Sequence, residues 1–327
     1  MQFRMTRMVV LVAGLAVATS ACGKYSINSI RSLKAFKDGM ALYQKGDYRG
    51  SSVKFEEAIG RNPDFGFSYF YLANSYDNQY RPGRAGEPEN DALLPKAAEN
   101  YRKSITALAD SEEPQAAQFR KYSYEYLIAI YGSGKLDDFT QAEPIAKEMI
   151  KYEPNEPANY QLLGRLYEEQ GDFEQAEAMF QRAIEVKPND ALAQQLLAYY
   201  YNRQGRFDKT MEAFAKRAEL EPTNPEAWHV MGTFYYEKVY RDRTLARDVA
   251  LDYLAKGFVA EDKAIAINPD YVEAVNFKEI LVRLRANMER DPAAQRKLLA
   301  EADVLADRVA ALQTKQGAAN AAVAPAN

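Results

Sequence analysis

Few residues of this chain could carry covalent or metal chemistry. The sequence contains a single cysteine, Cys22, and a single histidine, His229. Neighbouring acids such as Glu168 and Glu169 could in principle act as general acid and base, but in an amphipathic segment solvated charge is the favoured interpretation. The sequence has no Cys/His dyad, His-rich cluster, Walker-type loop or dinucleotide fingerprint. It therefore predicts a non-enzymatic protein without cofactor, metal or small-molecule substrate.

The start of the chain has the pattern of an export signal. Arg4 and Arg7 precede an uncharged run of 11 residues, from Met8 to Ala18. A helix needs about 20 apolar residues to span a bilayer, so this run is too short to be a permanent anchor. Three small residues follow, and Cys22 comes directly after them. The pattern predicts a signal peptide over residues 1–21.

Cys22 has a special position at the end of this signal. The start resembles the signal of bacterial lipoproteins, in which cleavage leaves a cysteine that is acylated at its sulfur and its new amino terminus. Thr19 stands where that family usually has Leu. The resemblance implies a lipidated Cys22 followed by a lipid-anchored linker over residues 22–31. The alternative is ordinary cleavage after Ala18 or Ala21, which would leave a free thiol.

Composition agrees with an exported body that works in water. The formal net charge is −4, and nucleic-acid binding would require a basic face. After residue 22 no apolar run approaches membrane-spanning length. Gly23, and not Asp, follows the cysteine, which in lipoproteins of enteric bacteria implies the outer membrane. The expected location is the periplasmic face of the outer membrane, through the lipid; the alternative is a soluble periplasmic or secreted protein.

A spacing of 34 residues organises the middle of the chain. It relates Tyr167, Tyr201 and Tyr235. It also relates Pro154, Pro188 and Pro222, Gly171 and Gly205, Phe173 and Phe207, and Phe180 and Phe214. A period of this length is typical of a helix-turn-helix solenoid, in which each unit buries its apolar face against its neighbours. With the tyrosines at packing positions, the spacing predicts an all-α fold.

The clearest unit covers residues 157–190. Tyr160, Leu163, Gly164 and Tyr167 share one stripe of a first helix, Gly171 and Asp172 make the turn, and Ala176, Phe180 and Ala183 line a second helix. This unit is similar to the tetratricopeptide repeat. The resemblance implies a right-handed superhelical solenoid of about six helix pairs over residues 32–270. In the fifth pair Thr210 and Arg217 replace small residues, so we expect looser packing there.

Two further segments complete the expected plan. Residues 271–315 have the apolar periodicity of two capping helices, with Asp291 and Pro292 marking the start of the last one. Residues 316–327 lack a periodic apolar face and are expected to be a disordered tail. Insertions at 79–94 and 237–250 are expected to form loops on one edge, which is often a binding edge.

The first helices of the pairs supply the candidate binding residues. In tetratricopeptide proteins these helices line a concave groove, and the resemblance implies a protein-binding groove that includes Phe70, Asn74, Gln161, Arg165, Gln195, Tyr199 and His229. No lysine occurs in this set, so the carboxylate clamp of the chaperone-binding members is not expected. Aromatic, amide and guanidinium groups suggest an amphipathic helix or an extended peptide as ligand. The alternative is a surface with no single ligand.

These features together predict an envelope-anchored scaffold. It would capture a partner protein segment in the groove during assembly of envelope components, which is the role of tetratricopeptide lipoproteins with a similar plan. The alternative is a periplasmic regulator that recruits or inhibits a cell-wall enzyme. The expected partners are therefore one or more proteins and, through the amino terminus, a membrane.

Overall fold

The computed structural model describes residues 27–323, so the predicted signal and Cys22 lie outside the described residues. The chain divides into two compact units after Ala142. Every regular element of the described residues is helical, and no strand occurs among them. The predicted all-α fold of stacked helix pairs is confirmed.

The first unit is built from long helices joined by short turns. These are α1 (Ile27–Gln44), α2 (Tyr48–Arg61), α3 (Gly66–Gln79), the short α4 (Pro88–Asp91), α5 (Leu93–Ala107) and α6 (Ala116–Tyr131). α1 pairs with α2 and α3 pairs with α5, and α6 packs on both α3 and α5. α7 (Phe139–Tyr152) begins in this unit and ends in the next.

The second unit continues the alternation of first and second helices. Its elements are α8 (Pro157–Glu169), α9 (Phe173–Val186), α10 (Ala191–Arg203), α11 (Phe207–Leu220), α12 (Pro225–Arg241), α13 (Arg247–Ile267), α14 (Val272–Met288) and α15 (Pro292–Val323). Each first helix packs on the second helix that follows it, and α14 packs on α15 as the expected cap. Two boundaries differ from expectation: α1 begins at Ile27, inside the predicted linker, and α15 continues to Val323, inside the predicted tail.

The turn inside the fourth pair shows why these sequences end one helix and begin the next. Gly171 has a φ of 78°, a left-handed conformation that glycine adopts without steric cost. The Asp172 amide then donates to the Tyr167 carbonyl at 2.9 Å, and the Asp172 carboxylate accepts from the Gln175 amide at 3.2 Å. The aspartate thereby caps a free N–H group at the start of α9.

Asp137 occupies the corresponding left-handed position before α7, with a φ of 51°, and is the one non-glycine residue of the described chain with positive φ. The next amide, that of Asp138, donates to the Tyr131 carbonyl at 2.8 Å, as Asp172 does to Tyr167. We expect Asp137→Gly to raise the free energy of unfolding by about 0.5 to 1 kcal/mol, because glycine removes the clash of a Cβ atom in this conformation. Urea denaturation measures the change. Asp137→Ala keeps the Cβ atom and should bring no gain; equal gains from both variants would contradict the explanation.

The two predicted insertions have different structures. In the loop at 79–94 the buried Asn90 side chain accepts from the Arg81 amide at 2.9 Å and donates to the Arg81 and Arg84 carbonyls at 3.1 Å. The Asn90 side chain therefore connects two points along this loop, at Arg81 and Arg84. The expected loop at 237–250 is wrong for much of its length, because α12 continues to Arg241 and α13 begins at Arg247. Both helices bury apolar residues in this stretch, including Val239 and Ala250.

The core of each unit is dense in aromatic rings, as the tyrosine spacing predicts. The largest fully buried side chains include Phe55, Tyr101 and Tyr124 in the first unit and Phe180, Tyr200 and Phe214 in the second. Thr210 and Arg217, expected to loosen the fifth pair, are buried as well. The Thr210 hydroxyl donates to the Arg206 carbonyl at 3.1 Å, and Arg217 Nε donates to the Glu221 carboxylate at 3.0 Å. Local hydrogen bonds thus satisfy these two polar side chains in part.

Candidate protein-binding face

The first helices of the fourth, fifth and sixth pairs, α8, α10 and α12, present a shared surface in the second unit. Arg165 and Tyr199 stand at equivalent places on α8 and α10, and Gln195 and His229 stand at equivalent places on α10 and α12. α8 contacts α10, and the Tyr199 ring lies 6.4 Å from the Phe234 ring of α12. We call the surface around Arg165, Gln195, Tyr199 and His229 the first-helix face.

Arg165 is the exposed cation of this face. Among the described residues no hydrogen bond or ion pair to its guanidinium is found, whereas Arg203 on the same unit is held by Glu168 at 2.7 Å. Tyr199 is half-buried, with its ring 5.4 Å from that of Phe214 in an edge-on arrangement. Gln195 Nε2 donates to the Tyr199 hydroxyl at 3.4 Å. The face therefore offers an exposed guanidinium on α8 and, on the neighbouring α10, a tyrosine whose ring packs on Phe214.

Three predicted groove residues are buried and do not belong to an open surface. Phe70 in the first unit is 5% exposed, and its ring lies 4.9 Å from that of Phe119. Asn74 is 3% exposed; its amide donates to the Tyr101 hydroxyl at 3.1 Å, and its side-chain oxygen accepts from Tyr43 and Asn78. Gln161 in the second unit is 5% exposed. Large aromatic neighbours cover the two positions on α3, so Phe70 and Asn74 do not line an open groove as the resemblance implied.

Known protein families match the middle of the chain. One tetratricopeptide-repeat profile matches residues 135–199 and a second matches residues 191–234. Residues 135–234 of the chain therefore contain tetratricopeptide repeats. No curated protein matches the sequence.

Several solved structures are similar to part of the chain. A crystal structure of MamA is 20% identical, covers 56% of this chain and 94% of its own, and has a TM-score of 0.41. A thermophilic tetratricopeptide protein of Thermus thermophilus is 21% identical, with coverage of 60% and 94% and a TM-score of 0.34. YrrB, described as a tetratricopeptide protein with an unusual peptide-binding site, is 21% identical, with coverage of 69% and 97% and a TM-score of 0.36.

His229 forms a polar pair with a buried carboxylate under the first-helix face. Its Nδ1 atom lies 3.0 and 3.1 Å from the two carboxylate oxygens of Glu261 on α13. The histidine side chain is 14% exposed and that of Glu261 is fully buried. Burial raises the pKa of Glu261 to about 7, although the hydrogen bond from His229 acts in the opposite direction. The imidazole ring is held edge-on by Tyr271 and Phe277, at 5.5 and 5.2 Å.

Glu261 occupies a place that the tetratricopeptide repeats fill with an aromatic ring. Phe180 and Phe214 stand eight residues before the prolines that end their units, and Glu261 stands eight residues before Pro269. A Cβ atom placed on Gly164 would lie 3.3 Å from the Phe180 ring, and one placed on Gly232 would collide with the Glu261 carboxylate. Glu261 thus packs over the equivalent glycine of its own pair.

The spacing analysis missed Glu261 for an identifiable reason. The residue 34 positions after Phe214 is Asp248, because the extra residues between α12 and α13 shift the register. Counting backwards from Pro269 would have placed Glu261 in the aromatic position. A charged residue at a predicted core position is the signal that could have located this pair.

An ion-pair cluster joins the fourth repeat to the fifth on the side of the second helices. The Glu177 carboxylate on α9 accepts from the Tyr201 hydroxyl at 3.0 Å and from Lys209 at 3.1 Å, and it also binds Arg206. These hydrogen bonds, chiefly that from Arg206, lower the pKa of Glu177 to about 2. The cluster links α9 to α10 and α11.

Within residues 27–323 no helix combines the length and apolar character needed to cross a membrane. No group of three or more metal-ligating side chains was found in the same part of the chain.

Proposed function

We propose that the protein is a scaffold that binds a segment of a partner protein on the first-helix face. The observation that carries the proposal is the exposed Arg165 guanidinium, which has no partner among the described residues and lies on the helix that packs beside the Tyr199-bearing α10. Arginine and tyrosine are among the side chains that most often dominate binding energy at protein interfaces. Their places on neighbouring repeats would let a bound segment run across α8 and α10.

The composition of the face supports a peptide-like ligand. Gln195 offers an amide that can both donate to and accept from a peptide backbone, and Tyr199 offers a hydroxyl at the edge of a packed ring. Arg165 would bind a carboxylate or a backbone carbonyl. An extended segment or the polar edge of an amphipathic helix provides these groups.

A double substitution tests the binding face. Photo-crosslinking from position 165 in the native cell, followed by mass spectrometry, would identify a partner, and its affinity can then be measured with purified proteins. We expect Arg165→Ala with Tyr199→Ala to weaken binding about tenfold or more while helicity is unchanged. The matched control is Arg182→Ala with Tyr69→Ala, which removes an exposed arginine and a half-buried tyrosine outside the face and outside both insertions. Unchanged affinity, with loss only on altering residues 79–94 or 237–250, would assign binding to the edge.

We further propose that the scaffold is anchored in the cell envelope through lipidated Cys22, at the periplasmic face of the outer membrane. The support is the sequence of the first 22 residues, with two arginines, a short apolar run and the single cysteine at its end. The partners would then be envelope proteins under assembly. Crosslinked hydrolases or synthases of the cell wall would favour a regulatory role in place of assembly.

Acylation has its own test. Wild-type protein should incorporate labelled palmitate and fractionate with membranes, and Cys22→Ser should do neither. Each buried methylene of an acyl chain contributes about 0.8 kcal/mol, so several chains anchor a protein far more firmly than one. Equal labelling of both proteins, or a wild-type protein found only in the soluble fraction, would refute lipidation. Substitution of Ser20 by Ala keeps the cysteine and serves as the control.

A further inference from the structure

One side of α1 carries exposed apolar and basic side chains together. Ile27 is 68% exposed and Ile30 is 59% exposed. Lys34 and Lys37 follow Ile30 at spacings of four and three residues, so these side chains lie on the same side of the helix. The α1 outer face is defined by six exposed side chains, which are Ile27, Ile30, Arg31, Leu33, Lys34 and Lys37.

Packing against α2 fixes which side of α1 points outward. The buried residues of α1 are small: Ser32, Ala35 and Gly39. The Ser32 hydroxyl donates to the Ala58 carbonyl at 2.8 Å, and a Cβ atom placed on Gly39 would lie 2.8 Å from a ring carbon of Phe55. The α1 outer face lies on the other side of the helix, where the described residues leave it open to solvent.

The charge of the α1 outer face is opposite to that of the whole chain. The chain has a net charge of −4, whereas α1 carries three basic residues and a single acid, Asp38. Among the described residues no hydrogen bond or ion pair to the three basic side chains of the face is found. Elsewhere in the first unit Lys54, Arg84 and Lys135 are paired with carboxylates. The unpaired positive charges of α1 favour an anionic partner.

The apolar side chains of the α1 outer face depart from the rule for the ends of a solenoid. A terminal helix normally has a polar outer surface, which keeps the array soluble. α15 follows this rule, because Val304 is its only exposed large apolar side chain among the described ones and exposed acids such as Asp303 and Asp307 accompany it. Apolar side chains mixed with lysine and arginine suit an anionic bilayer surface, where the former enter the headgroup region and the latter bind phosphate groups.

We propose that the α1 outer face docks on an anionic phospholipid surface and so fixes the orientation of the first unit on the membrane. Cys22 stands five residues before Ile27, and five residues span at most about 18 Å when extended. Acylation of Cys22 would therefore hold this face close to the headgroups. The contact is separate from the partner segment on the first-helix face, and it rests on the proposed anchor only for its proximity to lipid.

Photo-crosslinking from two positions on α1 tests the contact in the native cell. A photoreactive amino acid replaces Ile30 in one protein and Asn28 in the other. Both positions are exposed, but residues two apart in a helix point to nearly opposite sides, and Asn28 is the nearer of the two to Cys22. We expect phospholipid adducts from position 30 and their loss at position 28. Equal lipid adducts at both positions, or adducts from position 30 to protein alone, would overturn the proposal.

Charge reversal tests the basic side chains in a purified system. The protein with the photoreactive group at position 30 is reconstituted with phosphatidylcholine vesicles that contain or lack phosphatidylglycerol. On the anionic vesicles Lys34→Glu with Lys37→Glu should lower the yield of lipid adducts about tenfold or more. The matched control, Arg296→Glu with Lys297→Glu on α15, makes the same change in net charge at exposed side chains and should leave the yield unchanged. Equal yields on the two kinds of vesicle, or an equal fall in both double variants, would refute docking through charge.

Palmitate labelling separates this contact from the anchor. A labelled protein that gives no lipid adducts from position 30 would overturn docking of α1 and leave acylation of Cys22 intact. Lipid adducts from position 30 without palmitate labelling would refute acylation and support the contact of α1. Neither result depends on Arg165 or Tyr199 of the first-helix face.

Discussion

Phe180→Ala is expected to lower the free energy of unfolding by about 3 to 5 kcal/mol. The side chain is 2% exposed, lies 5.0 Å from the Tyr200 ring of the next repeat and covers Gly164 in its own. The substitution therefore removes contacts within one pair and between two pairs. Urea denaturation followed by circular dichroism would measure the loss, with unfolding of the middle pairs before the ends.

The matched control on the same helix is Glu185→Ala. The Glu185 side chain is 62% exposed and pairs with the exposed Arg182, so its loss should change stability by less than about 0.5 kcal/mol. Glu168 is a poorer control than its sequence suggests, because its carboxylate accepts from Arg203 at 2.7 and 2.8 Å and is largely covered. Similar midpoints for Phe180→Ala and Glu185→Ala would show that the helix register is wrong.

The second large effect is a loss of stability as pH rises toward neutrality. The pKa of Glu261 is 4.5 when unperturbed and about 7 in the folded chain, so between these values the folded state holds more protons than the unfolded state. Stability must fall with rising pH over that window, by a total of about 3 kcal/mol for a shift of this size. The fall begins above pH 4.5 and is complete above pH 7.

Glu261→Gln isolates this contribution. The amide cannot ionise, so the variant should unfold at nearly the same urea concentration at pH 5 and at pH 8, while the wild type becomes less stable at pH 8. Glu177 provides the internal comparison, because its lowered pKa of about 2 affects stability only as pH falls below 4.5. Equal midpoints of the wild-type protein at pH 5 and pH 8 would mean that the pKa of Glu261 is not raised in the folded chain.

The fold was predictable because the residues that determine each helix pair repeat at a fixed spacing in the sequence. Tyr167 supplies a packing ring on the first helix, Gly171 a left-handed turn, and Phe180 a buried ring on the second helix. Residues of the same types recur 34 positions later. The spacing did not predict the helix boundaries in the sixth pair, which is longer than 34 residues. The extended α12 and α13 looked like a loop insertion, since charged residues such as Arg241 and Arg247 lie on the ends of helices and not in a turn.

The site was less predictable, because position in a repeat does not determine exposure. Arg165 and Tyr199 reach the surface, but Phe70 and Asn74 are covered by rings from α5 and α6, including Tyr101, that no local pattern places there. Burial depends on the neighbours that tertiary packing supplies, and a single repeat does not encode them. The pairing of His229 with Glu261 likewise depends on contacts between two helices with a nonstandard connection.

The Glu177 cluster also contributes to the coupling free energy between adjacent repeats. One carboxylate on α9 collects Tyr201, Arg206 and Lys209, all from the following pair, so part of the coupling energy between neighbours is Coulombic. In a linear array the length over which helices open together is governed by this nearest-neighbour term. Because these groups lie partly in water, dissolved ions screen their attraction. Higher ionic strength should therefore weaken this part of the coupling, and we expect this stretch of the array to open in smaller blocks in concentrated salt.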